Sequence, residues 1–519
     1  MITGRFFVYA PAFSPQSPKL HPTYTATPIT MDFHWSLIPQ ILYVIVLVVT
    51  VFRIIYDTDN STKTVGYLLL VLLLPVVGII VYYAVGVNLR KRKLYQKKLI
   101  NDERLWEQVL HRINVSTEKL IESTSGLKND RKLIRLLLAT DHSRLTGDNE
   151  IEVLINGERK FPRALERMRT AKHHLHVEYY RFEDDEVGGW MEEVLKERAQ
   201  AGVQVRLIYD DFGSRSIRGA MARRLRAAGV ELIPFFKITF LALANRVNYR
   251  NHRKIIVIDG VEAFVGGINV SNDYVNTVGD PAKKTFWRDT HLWVRGSAAM
   301  QLQYIFLNDW NFASAEPIAL DEDLSQYFPV EATRGDGDQL VQIAASGPDS
   351  DTPTILYSII RAIALAERRI LIATPYFVPT DSLMDGLCIA ARSGVDVSLM
   401  VPLKGDSRIV NLGAESYYEQ LLAAGVKIYR YEKGFIHAKT IVVDDRLSIV
   451  GTANLDIRSF ELNFEVNAVV YGEATAARLT KSFECDLEVS RPMIKQRWEE
   501  RPVSRKFAEK VARMLSPVL

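Results

Sequence analysis

The chain of 519 residues contains little cysteine, and this shortage excludes two kinds of protein. Cys388 and Cys485 are the two cysteines present, too few for a disulfide framework or a Cys-rich metal site. This cysteine usage fits a reducing compartment. The length is too great for one hydrophobic core, so we expect two or more domains.

A basic excess is lacking over most of the chain. The whole sequence holds 65 Lys and Arg against 61 Asp and Glu, a net charge of +4. Residues 1–98 contain ten basic and three acidic residues, a net of +7, so residues 99–519 sum to −3. Enzymes of nucleic acids are more often basic in their catalytic part, and we expect no nucleic-acid partner.

The N-terminal residues lack both apolar periodicity and the pattern of a signal peptide. Five prolines fall within residues 1–30. The sequence predicts a disordered extension over residues 1–34. Met31 would serve as a start as well as Met1, and the sequence leaves that choice open.

Two apolar segments follow this extension. Residues 65–87, "VGYLLLVLLLPVVGIIVYYAVGV", carry no charge over 23 positions, enough helix to span a hydrocarbon core of about 30 Å. Residues 35–56 are a weaker candidate, because Arg53 lies within them. A buried core helix is the alternative for each. The sequence predicts a transmembrane helical hairpin within residues 35–98.

The flank after the hairpin sets its expected orientation. "NLRKRKLYQKK" (88–98) holds six basic residues and no acid. The positive-inside rule puts such a flank in the cytoplasm. Because two spans return the chain to its starting side, we expect a multi-pass protein whose remaining residues lie on the cytoplasmic side.

An internal repeat organises the rest of the chain. "NHRKIIVIDGVEAFVGGINVSN" (251–272) matches "IHAKTIVVDDRLSIVGTANLDI" (436–457) without a gap. The pairs at a separation of 185 residues are His252 and His437, Lys254 and Lys439, Asp259 and Asp444, Gly266 and Gly451, and Asn269 and Asn454. Two occurrences of this motif with the same internal spacing are very improbable in a random sequence.

The similarity extends on both sides of these motifs. "WRDTHLWVRG" (287–296) matches "NFEVNAVVYG" (463–472) at a separation of 176 residues, which sets Asp289 opposite Glu465. Each copy alternates short apolar strands with helices, as in α/β layering. The sequence predicts two α/β lobes related by a pseudo-two-fold axis, residues 141–335 and residues 336–519 with a C-terminal helix, after a helical connector over 99–140.

The repeated polar residues suit chemistry on a phosphodiester. We expect His252 and Lys254 to share one face of a strand, as do His437 and Lys439. Lys254, Lys439, Asn269 and Asn454 could then donate hydrogen bonds to phosphate oxygens. One imidazole would attack phosphorus and the other would protonate the departing alkoxide.

Two further pairs of acidic residues belong to this array. Asp289 and Glu465 are expected to hold the imidazole Nδ1–H groups. Asp259 and Asp444 end their strands, where a catalytic role and a structural turn role are equally supported. The scheme predicts no metal and no cofactor, because a metal enzyme would need clustered carboxylates.

These residues resemble the phospholipase D superfamily, whose HKD motif is the repeated His-x-Lys-x₄-Asp. The resemblance narrows to the bacterial cardiolipin synthases through "LLLPVVGIIVYY", "NHRKIIVIDG", "GGIN", "WRDTHL", "ATPYFVP", "GTANLD" and "LSPVL". It covers residues from about 35 to 519. It implies that His252 is the nucleophile and His437 the acid, although two nearly equivalent copies leave that order open.

The resemblance also implies a reaction and a location. One phosphatidylglycerol would give its phosphatidyl group to another, forming cardiolipin and glycerol at the bacterial inner membrane, with phosphatidylglycerol and other anionic lipids as partners. Phospholipase D-type hydrolysis, or transfer involving phosphatidylethanolamine or serine, would use the same catalytic residues. A non-catalytic scaffold is disfavoured by intact motifs in both copies, and the sequence does not indicate the oligomeric state.

One loop of the first copy invites a separate hypothesis. Residues 237–250, "KITFLALANRVNYR", contain an apolar run at Ile238–Ala244. We expect this run either to dip into the bilayer surface and shield the site from water or to form an ordinary core strand.

Overall fold

The computed structural model describes residues 38–57, 61–83, 117–237, 249–280, 284–318, 324–329 and 337–514. The chain divides into an N-terminal unit, Met1–Asn88, and a large unit, Leu89–Leu519. The expected disordered extension over residues 1–34 lies outside the described residues.

The N-terminal unit contains one uninterrupted apolar helix. Helix α1 (Ile38–Asp57) has 20 residues and a mean hydropathy of 2.3, and within the described ranges it alone is long and apolar enough to cross a membrane. The other segment is split into α2 (Ser61–Leu73) and α3 (Pro75–Val81). Pro75 has no backbone N–H to donate, which accounts for the break. The sequence had favoured this second segment, and its residues 84–87 lie outside the described ranges.

The large unit alternates helices and strands. Its described α-helices are α4 (Thr117–Ser123), α5 (Arg131–Asp141), α6 (Asn156–Met168), α7 (Glu186–Gln200), α8 (Ala220–Ala227), α9 (Ser297–Ala313), α10 (Thr354–Ala364), α11 (Asp381–Arg392), α12 (Arg408–Ala424), α13 (Ile457–Glu461), α14 (Glu473–Glu488), α15 (Lys495–Glu499) and α16 (Val503–Met514).

The described strands of this unit are β1 (Thr146–Ile155), β2 (His174–Tyr179), β3 (Gln204–Asp210), β4 (Glu231–Phe235), β5 (Arg250–Asn251), β6 (Lys254–Ile258), β7 (Glu262–Gly266), β8 (Phe286–Arg288), β9 (Thr290–Arg295), β10 (Gln339–Ser346), β11 (Arg369–Ala373), β12 (Phe377–Val378), β13 (Asp396–Pro402), β14 (Lys427–Tyr431), β15 (Gly434–Ile436), β16 (Thr440–Val443), β17 (Leu447–Gly451), β18 (Leu455–Asp456), β19 (Asn463–Tyr471) and β20 (Ser490–Pro492). The result is a mixed α/β fold.

One 16-stranded sheet runs through the large unit, in the order β20-β14-β13-β11-β16-β17-β19-β10-β1-β9-β7-β6-β2-β3-β4, with β5 paired to β19. Apart from β20 and β5, the order reads the same from either end: β4-β3-β2-β6-β7-β9-β1 in the first half and β14-β13-β11-β16-β17-β19-β10 in the second. The halves join where β1 pairs antiparallel with β10.

Apolar strand sequences explain why the sheet is buried on both faces. β6 reads "KIIVI" and β7 reads "EAFVG", and all ten residues are buried. Such near-continuous apolar runs are typical of strands covered by helices. One apolar cluster draws residues from the central strands of both halves together with α9 and α14, so the two halves share part of their core.

The described part of the predicted connector belongs to this packing. Leu133, Ile134 and Leu137 of α5 are fully buried in the apolar cluster of the second half. The Gln342 side chain in β10 donates to the Ile134 carbonyl at 3.2 Å. Residues 99–116 of the connector lie outside the described ranges.

Candidate active site

Both repeated histidines lie in short links between strands rather than within a strand as expected. His252 separates β5 from β6, and His437 separates β15 from β16. β5 pairs with the start of β19, and the His252 N–H donates to the Phe464 carbonyl at 3.0 Å. β15 pairs with β8, and the His437 N–H donates to the Arg288 carbonyl at 2.7 Å. Each histidine is therefore fixed by the main chain of the other half.

The carboxylates are exchanged between the halves in the same way. His252 Nδ1 lies 2.9 and 3.0 Å from the two carboxylate oxygens of Glu465. His437 Nδ1 lies 2.7 Å from Asp289 Oδ2. Each contact orients an imidazole with Nδ1–H towards the carboxylate. Nε2 of His252 is then directed to chemistry, whereas Nε2 of His437 lies 3.1 Å from Lys439 Nζ. Sequence alignment had set Asp289 opposite Glu465 without indicating which histidine each one holds.

The two carboxylates are held differently. Glu465 accepts hydrogen bonds from Thr452 Oγ1 at 2.5 Å and from Asn463 Nδ2 at 3.2 Å. Asp289 accepts from the Thr290 N–H at 2.7 Å. The residue matching Thr452 in the first copy is Gly267, where a Cβ would collide with the Asp289 carboxylate. The Gly-Gly of the first motif therefore leaves space for the acid that orients His437.

Both lysines fold back onto their own motif. Lys254 Nζ donates to the His252 carbonyl at 2.7 Å, and Lys439 Nζ donates to the His437 carbonyl at 2.5 Å. Burial lowers the pKa of Lys254 to about 7. Glu465 raises this pKa and Lys439 lowers it, but burial has the largest effect. Burial likewise lowers the pKa of Lys439 to about 8, against the effects of Asp289 and Glu465. The site therefore carries positive charge that is lost near neutral pH.

The imidazoles are uncharged in this site at neutral pH. Burial lowers the pKa of His252 to about 4. The Glu465 carboxylate opposes this by raising the pKa, and the Lys254 and Lys439 ammonium groups lower it further. Burial and the Lys439 and Lys254 ammonium groups hold the pKa of His437 well below its usual value. A neutral imidazole with a free Nε2 is a competent nucleophile.

The two asparagines lie beside the histidines. Asn269 accepts from the Arg181 N–H at 3.2 Å, and its Nδ2 lies 2.6 Å from Tyr274 Oη. The Asn454 N–H donates to Ser459 Oγ at 3.2 Å. Within the described part of the chain, the buried Asn454 Oδ1 has no hydrogen-bond partner. Both amides line the cavity described next.

A single cavity of about 320 Å³ contains both histidines and both asparagines. Its volume falls in the range of small-molecule sites. The other lining residues are Tyr180, Arg181, Arg250, Tyr274, Trp287, Tyr376, Val378, Asp406, Val410, Asp456, Arg458 and Asn463. The three arginines were missed by sequence reasoning. Arg250 directly precedes the first repeated segment, 251–272, and Arg458 directly follows the second, 436–457. Their positions next to the repeated segments could have indicated these two arginines.

The motif aspartates lie elsewhere. Asp259 accepts hydrogen bonds from the N–H groups of Lys172, His173 and His174 at 2.8, 2.8 and 2.9 Å. It is separated from Lys254 by the length of β6, about 16 Å at 3.3 Å per residue. Neither Asp259 nor Asp444 lines the cavity. Lys254 and Lys439 do not line it either, but each contacts a histidine that does.

Asp444 makes the same contacts in the second half. It accepts from the N–H groups of Glu367, Arg368 and Arg369 at 2.9, 2.7 and 3.0 Å. Both aspartates adopt positive φ, 53° for Asp259 and 51° for Asp444, a conformation that Asp tolerates better than most residues. These contacts favour the structural alternative over contact with substrate.

Two further predictions from the sequence concern a metal ion and the apolar loop. Among the described residues, no group of three or more His, Cys, Asp or Glu side chains is arranged to hold a metal ion. Residues 238–248 of the apolar loop lie outside the described ranges, so the bilayer hypothesis for Ile238–Ala244 remains a prediction.

A family model described as "Cardiolipin synthase, PLD-like domain" matches residues 164–282 and 359–487. These segments contain both His-x-Lys motifs. A second model, "Phospholipase_D-nuclease N-terminal", matches residues 41–86, which include most of α1 and all of α2 and α3.

Curated relatives match over most of the chain. Cardiolipin synthase 2 of Bacillus anthracis is 39% identical over 90% of this chain and 88% of its own length. Major cardiolipin synthase ClsA of Bacillus subtilis is 39% identical over 93% of this chain and 99% of its own length.

The solved phosphatidylserine synthase of Haemophilus influenzae matches with a TM-score of 0.55 and 14% identity, over 75% of this chain and 100% of that one. That likeness concerns the fold. The residues quoted from the sequence, the family model and the curated relatives agree, and they confirm the resemblance. The chain belongs to the bacterial cardiolipin synthases of the phospholipase D superfamily.

Proposed function

We propose that this phosphatidyltransferase moves a phosphatidyl group from one phosphatidylglycerol to the glycerol hydroxyl of another through a phosphohistidine, giving cardiolipin and glycerol. The observation that carries the proposal is one cavity lined by His252 and His437, each with its Nδ1 beside a buried carboxylate. Cardiolipin synthase function also agrees with the curated relatives.

In the first half-reaction, Nε2 of His252 attacks the phosphorus of the donor lipid. A bond forms between Nε2 and phosphorus, and the bond from phosphorus to the glycerol oxygen breaks. The Nδ1–H of His252 remains hydrogen-bonded to the Glu465 carboxylate, which stabilises the positive charge that the ring gains. His437 gives a proton from Nε2 to the departing glycerol oxygen.

His437 must take up that proton before it can give it away. Its pKa is held far down by burial and by the two lysines. A phosphodiester anion in the cavity offsets the lysine charges and raises the pKa of His437. Substrate binding therefore supplies the condition for acid catalysis, and Asp289 stabilises the imidazolium that results.

In the second half-reaction the roles reverse. The glycerol hydroxyl of a second phosphatidylglycerol gives its proton to the neutral His437 and attacks phosphorus, and the bond to His252 breaks. Lys254 and Lys439 balance the charge that develops on the phosphate oxygens in both steps. Asn269 and Asn454 supply neutral donors at the cavity wall. Asp259 and Asp444 act structurally, by fixing the far ends of β6, which begins at Lys254, and β16, which begins directly after Lys439.

The matching strand orders support a two-lobe description of the large unit. We take residues 141–335 and 336–519 as lobes related by a pseudo-two-fold axis that passes near the two histidines. Exchange of β5 and β15 across the halves agrees with such an axis. One lobe alone would lack the carboxylate partner of its own histidine.

The protein is membrane-associated, as its family indicates, and α1 is apolar enough to span a bilayer. We further take α2 and α3 as a second span, which makes a hairpin whose basic flank at 88–98 stays in the cytoplasm. In this topology the large unit meets phospholipid from the cytoplasmic face of the bacterial inner membrane.

The full-length protein in vesicles of phosphatidylglycerol with a chelator tests the reaction. Cardiolipin and glycerol in equal amounts are expected. Phosphatidic acid as the main product would support a hydrolase, and a phosphatidylethanolamine-dependent product would support another acceptor. His252→Ala and His437→Ala should each abolish turnover, whereas His173→Ala, which changes a histidine outside the cavity lining, should not.

A further inference from the structure

A second cleft, larger than the catalytic cavity, lies between the two halves of the large unit. It has a volume of about 540 Å³ and is lined by residues of α14 together with β8, β14 and the end of β1. Its charged lining residues are Arg288, Lys433, Arg478, Lys481, Asp486 and Glu488, four cations and two anions, which is a net of +2.

The cationic residues divide into a buried floor and an exposed rim. Arg288 is 6% exposed and donates to Asp486 at 3.1 Å and to Ser482 Oγ at 2.6 Å. Lys433 lies 4.3 Å from the ring centroid of Phe286. Arg478 and Lys481 are exposed. The contacts found in the described part of the chain include no ion pair for either of these two, so their charges remain available to a ligand.

Strand β8 is the wall between the two cavities. Its middle residue, Trp287, lines the catalytic cavity, while Phe286 and Arg288 on either side line the second cleft. This follows from the alternation of side chains along a strand. The carbonyl of Arg288 accepts the His437 N–H, and the next residue is Asp289. The cleft is thus one strand away from the catalytic centre.

The repeat shows that this cleft is not a general consequence of the fold. At the separation of 176 residues, Arg288 corresponds to Phe464, Ser482 to Phe306, Asp486 to Trp310 and Lys481 to Ile305. These matching residues, apart from Ile305, join Phe235 in a closed aromatic cluster in which each is at most 3% exposed. The cleft therefore has polar and charged residues where the matching place in the repeat has a closed core.

We propose that this cleft binds the phosphate of an anionic phospholipid headgroup, held by Lys433, Arg478 and Lys481 above the Arg288–Asp486 pair. The net positive charge selects an anion, and the volume is suited to a headgroup rather than to a small ion alone. The membrane association of the family brings such headgroups within reach. The binding claim does not depend on the transfer mechanism proposed above.

Cys485 provides a measurement that is independent of activity. It lines the cleft, and its thiol is free and exposed. In the Cys388→Ser background it is the sole thiol of the full-length chain. A neutral maleimide reports occupancy of the cleft, because a bound headgroup slows access to the thiol. The protein is placed in phosphatidylcholine nanodiscs, in the same nanodiscs containing phosphatidic acid, or in the first kind with inorganic phosphate.

Phosphatidic acid is expected to slow labelling at least threefold relative to phosphatidylcholine alone. The variant Lys433→Gln/Arg478→Gln/Lys481→Gln should lose this protection. A control with the same charge change at exposed positions outside the cleft lining, Lys427→Gln/Arg368→Gln/Lys495→Gln, should keep it, which separates binding in the cleft from the general effect of a charged bilayer.

Two results would overturn the assignment. Equal labelling rates with and without phosphatidic acid would show that the cleft holds no lipid headgroup. Equal protection by inorganic phosphate in phosphatidylcholine would assign the cleft to a small free anion instead. Failure of the proposed transfer reaction would be visible separately, as missing cardiolipin with protection of Cys485 unchanged.

Discussion

The exchange of carboxylates between the halves makes Glu465→Gln the most informative substitution. Glu465 is fully buried, and both its oxygens lie within 3.0 Å of His252 Nδ1. An amide of the same shape keeps a hydrogen bond but removes the charge that stabilises the imidazolium formed when His252 is phosphorylated. If the amide NH₂ turns towards Nδ1, it also moves the ring proton to Nε2 and blocks the nucleophile.

The magnitude follows from these two effects. A hydrogen bond to a charged group contributes about 1.5–3 kcal/mol, and losing it in the transition state lowers the rate roughly 10- to 150-fold. Tautomer inversion adds to this, and loss of an orienting carboxylate in a related arrangement costs about 10⁴-fold. We therefore expect kcat/KM for cardiolipin formation to fall between about 10²- and 10⁴-fold.

The assay is cardiolipin formation by full-length protein in phosphatidylglycerol vesicles, with thermal unfolding measured on the same samples. Asp289→Asn, which changes the partner of His437, should give a loss of similar size. Glu484→Gln, at a side chain that is 58% exposed, is the matched control and should leave the rate unchanged. A Glu465→Gln enzyme that is folded and within threefold of the wild-type rate would refute the reasoning.

Three further outcomes are expected. The kcat/KM profile should be bell-shaped, rising with pH as His252 loses its proton near pH 4 and falling as Lys254 and Lys439 lose theirs near pH 7 and 8; constant activity up to pH 10 would contradict the role of the lysines. Asp444→Asn, which retains a residue suited to positive φ, should lower the free energy of unfolding by about 1.5–3 kcal/mol and keep kcat within threefold at temperatures where the protein is folded, whereas a hundredfold loss of kcat would indicate a catalytic role. Gly267→Ala should displace the Asp289 carboxylate and reduce kcat at least tenfold, while the protein stays folded at the assay temperature. Unchanged kinetics would show that the carboxylate has room to move.

The sequence predicted the parts of the fold that leave a local or repeated signal. Alternating apolar strands and helices indicated an α/β fold, and the 185-residue repeat brought attention to His252 and His437. Helix ends were also locally encoded: α12 begins after Ser407, whose side chain accepts from the Val410 N–H, and ends at Gly425 with φ of 98°. Capping chemistry of this kind is visible without tertiary structure.

Pairing between distant segments was not predictable in the same way. The contact between His252 and Glu465 joins residues 213 positions apart, and it depends on β5 crossing to the other half. The repeat alone does not determine which of the two carboxylates contacts which histidine. The same limit applied to the motif itself, since three backbone N–H groups 75 to 77 positions away determine the surroundings of Asp444.

The apolar segments show a limit of composition alone. Residues 65–87 are free of charge and longer than 35–56 in their uncharged run, so hydropathy favoured them. The break before Pro75 depends on one missing N–H and a ring clash, which average hydropathy does not register. The asymmetry of the second cleft was likewise hidden, because the change from Phe464 to Arg288 at matching positions gains meaning only from what surrounds each residue.

A covalent intermediate on His252 is the central claim, and trapping it is the most direct measurement. Phosphatidylglycerol labelled at phosphorus would be mixed with full-length protein, quenched in alkali within milliseconds, where phosphohistidine survives, and mapped by peptide mass spectrometry. We predict a phosphatidyl adduct on His252 that precedes cardiolipin and is absent from His252→Ala. Cardiolipin formed with neither histidine labelled, or with the adduct confined to His437, would contradict the account.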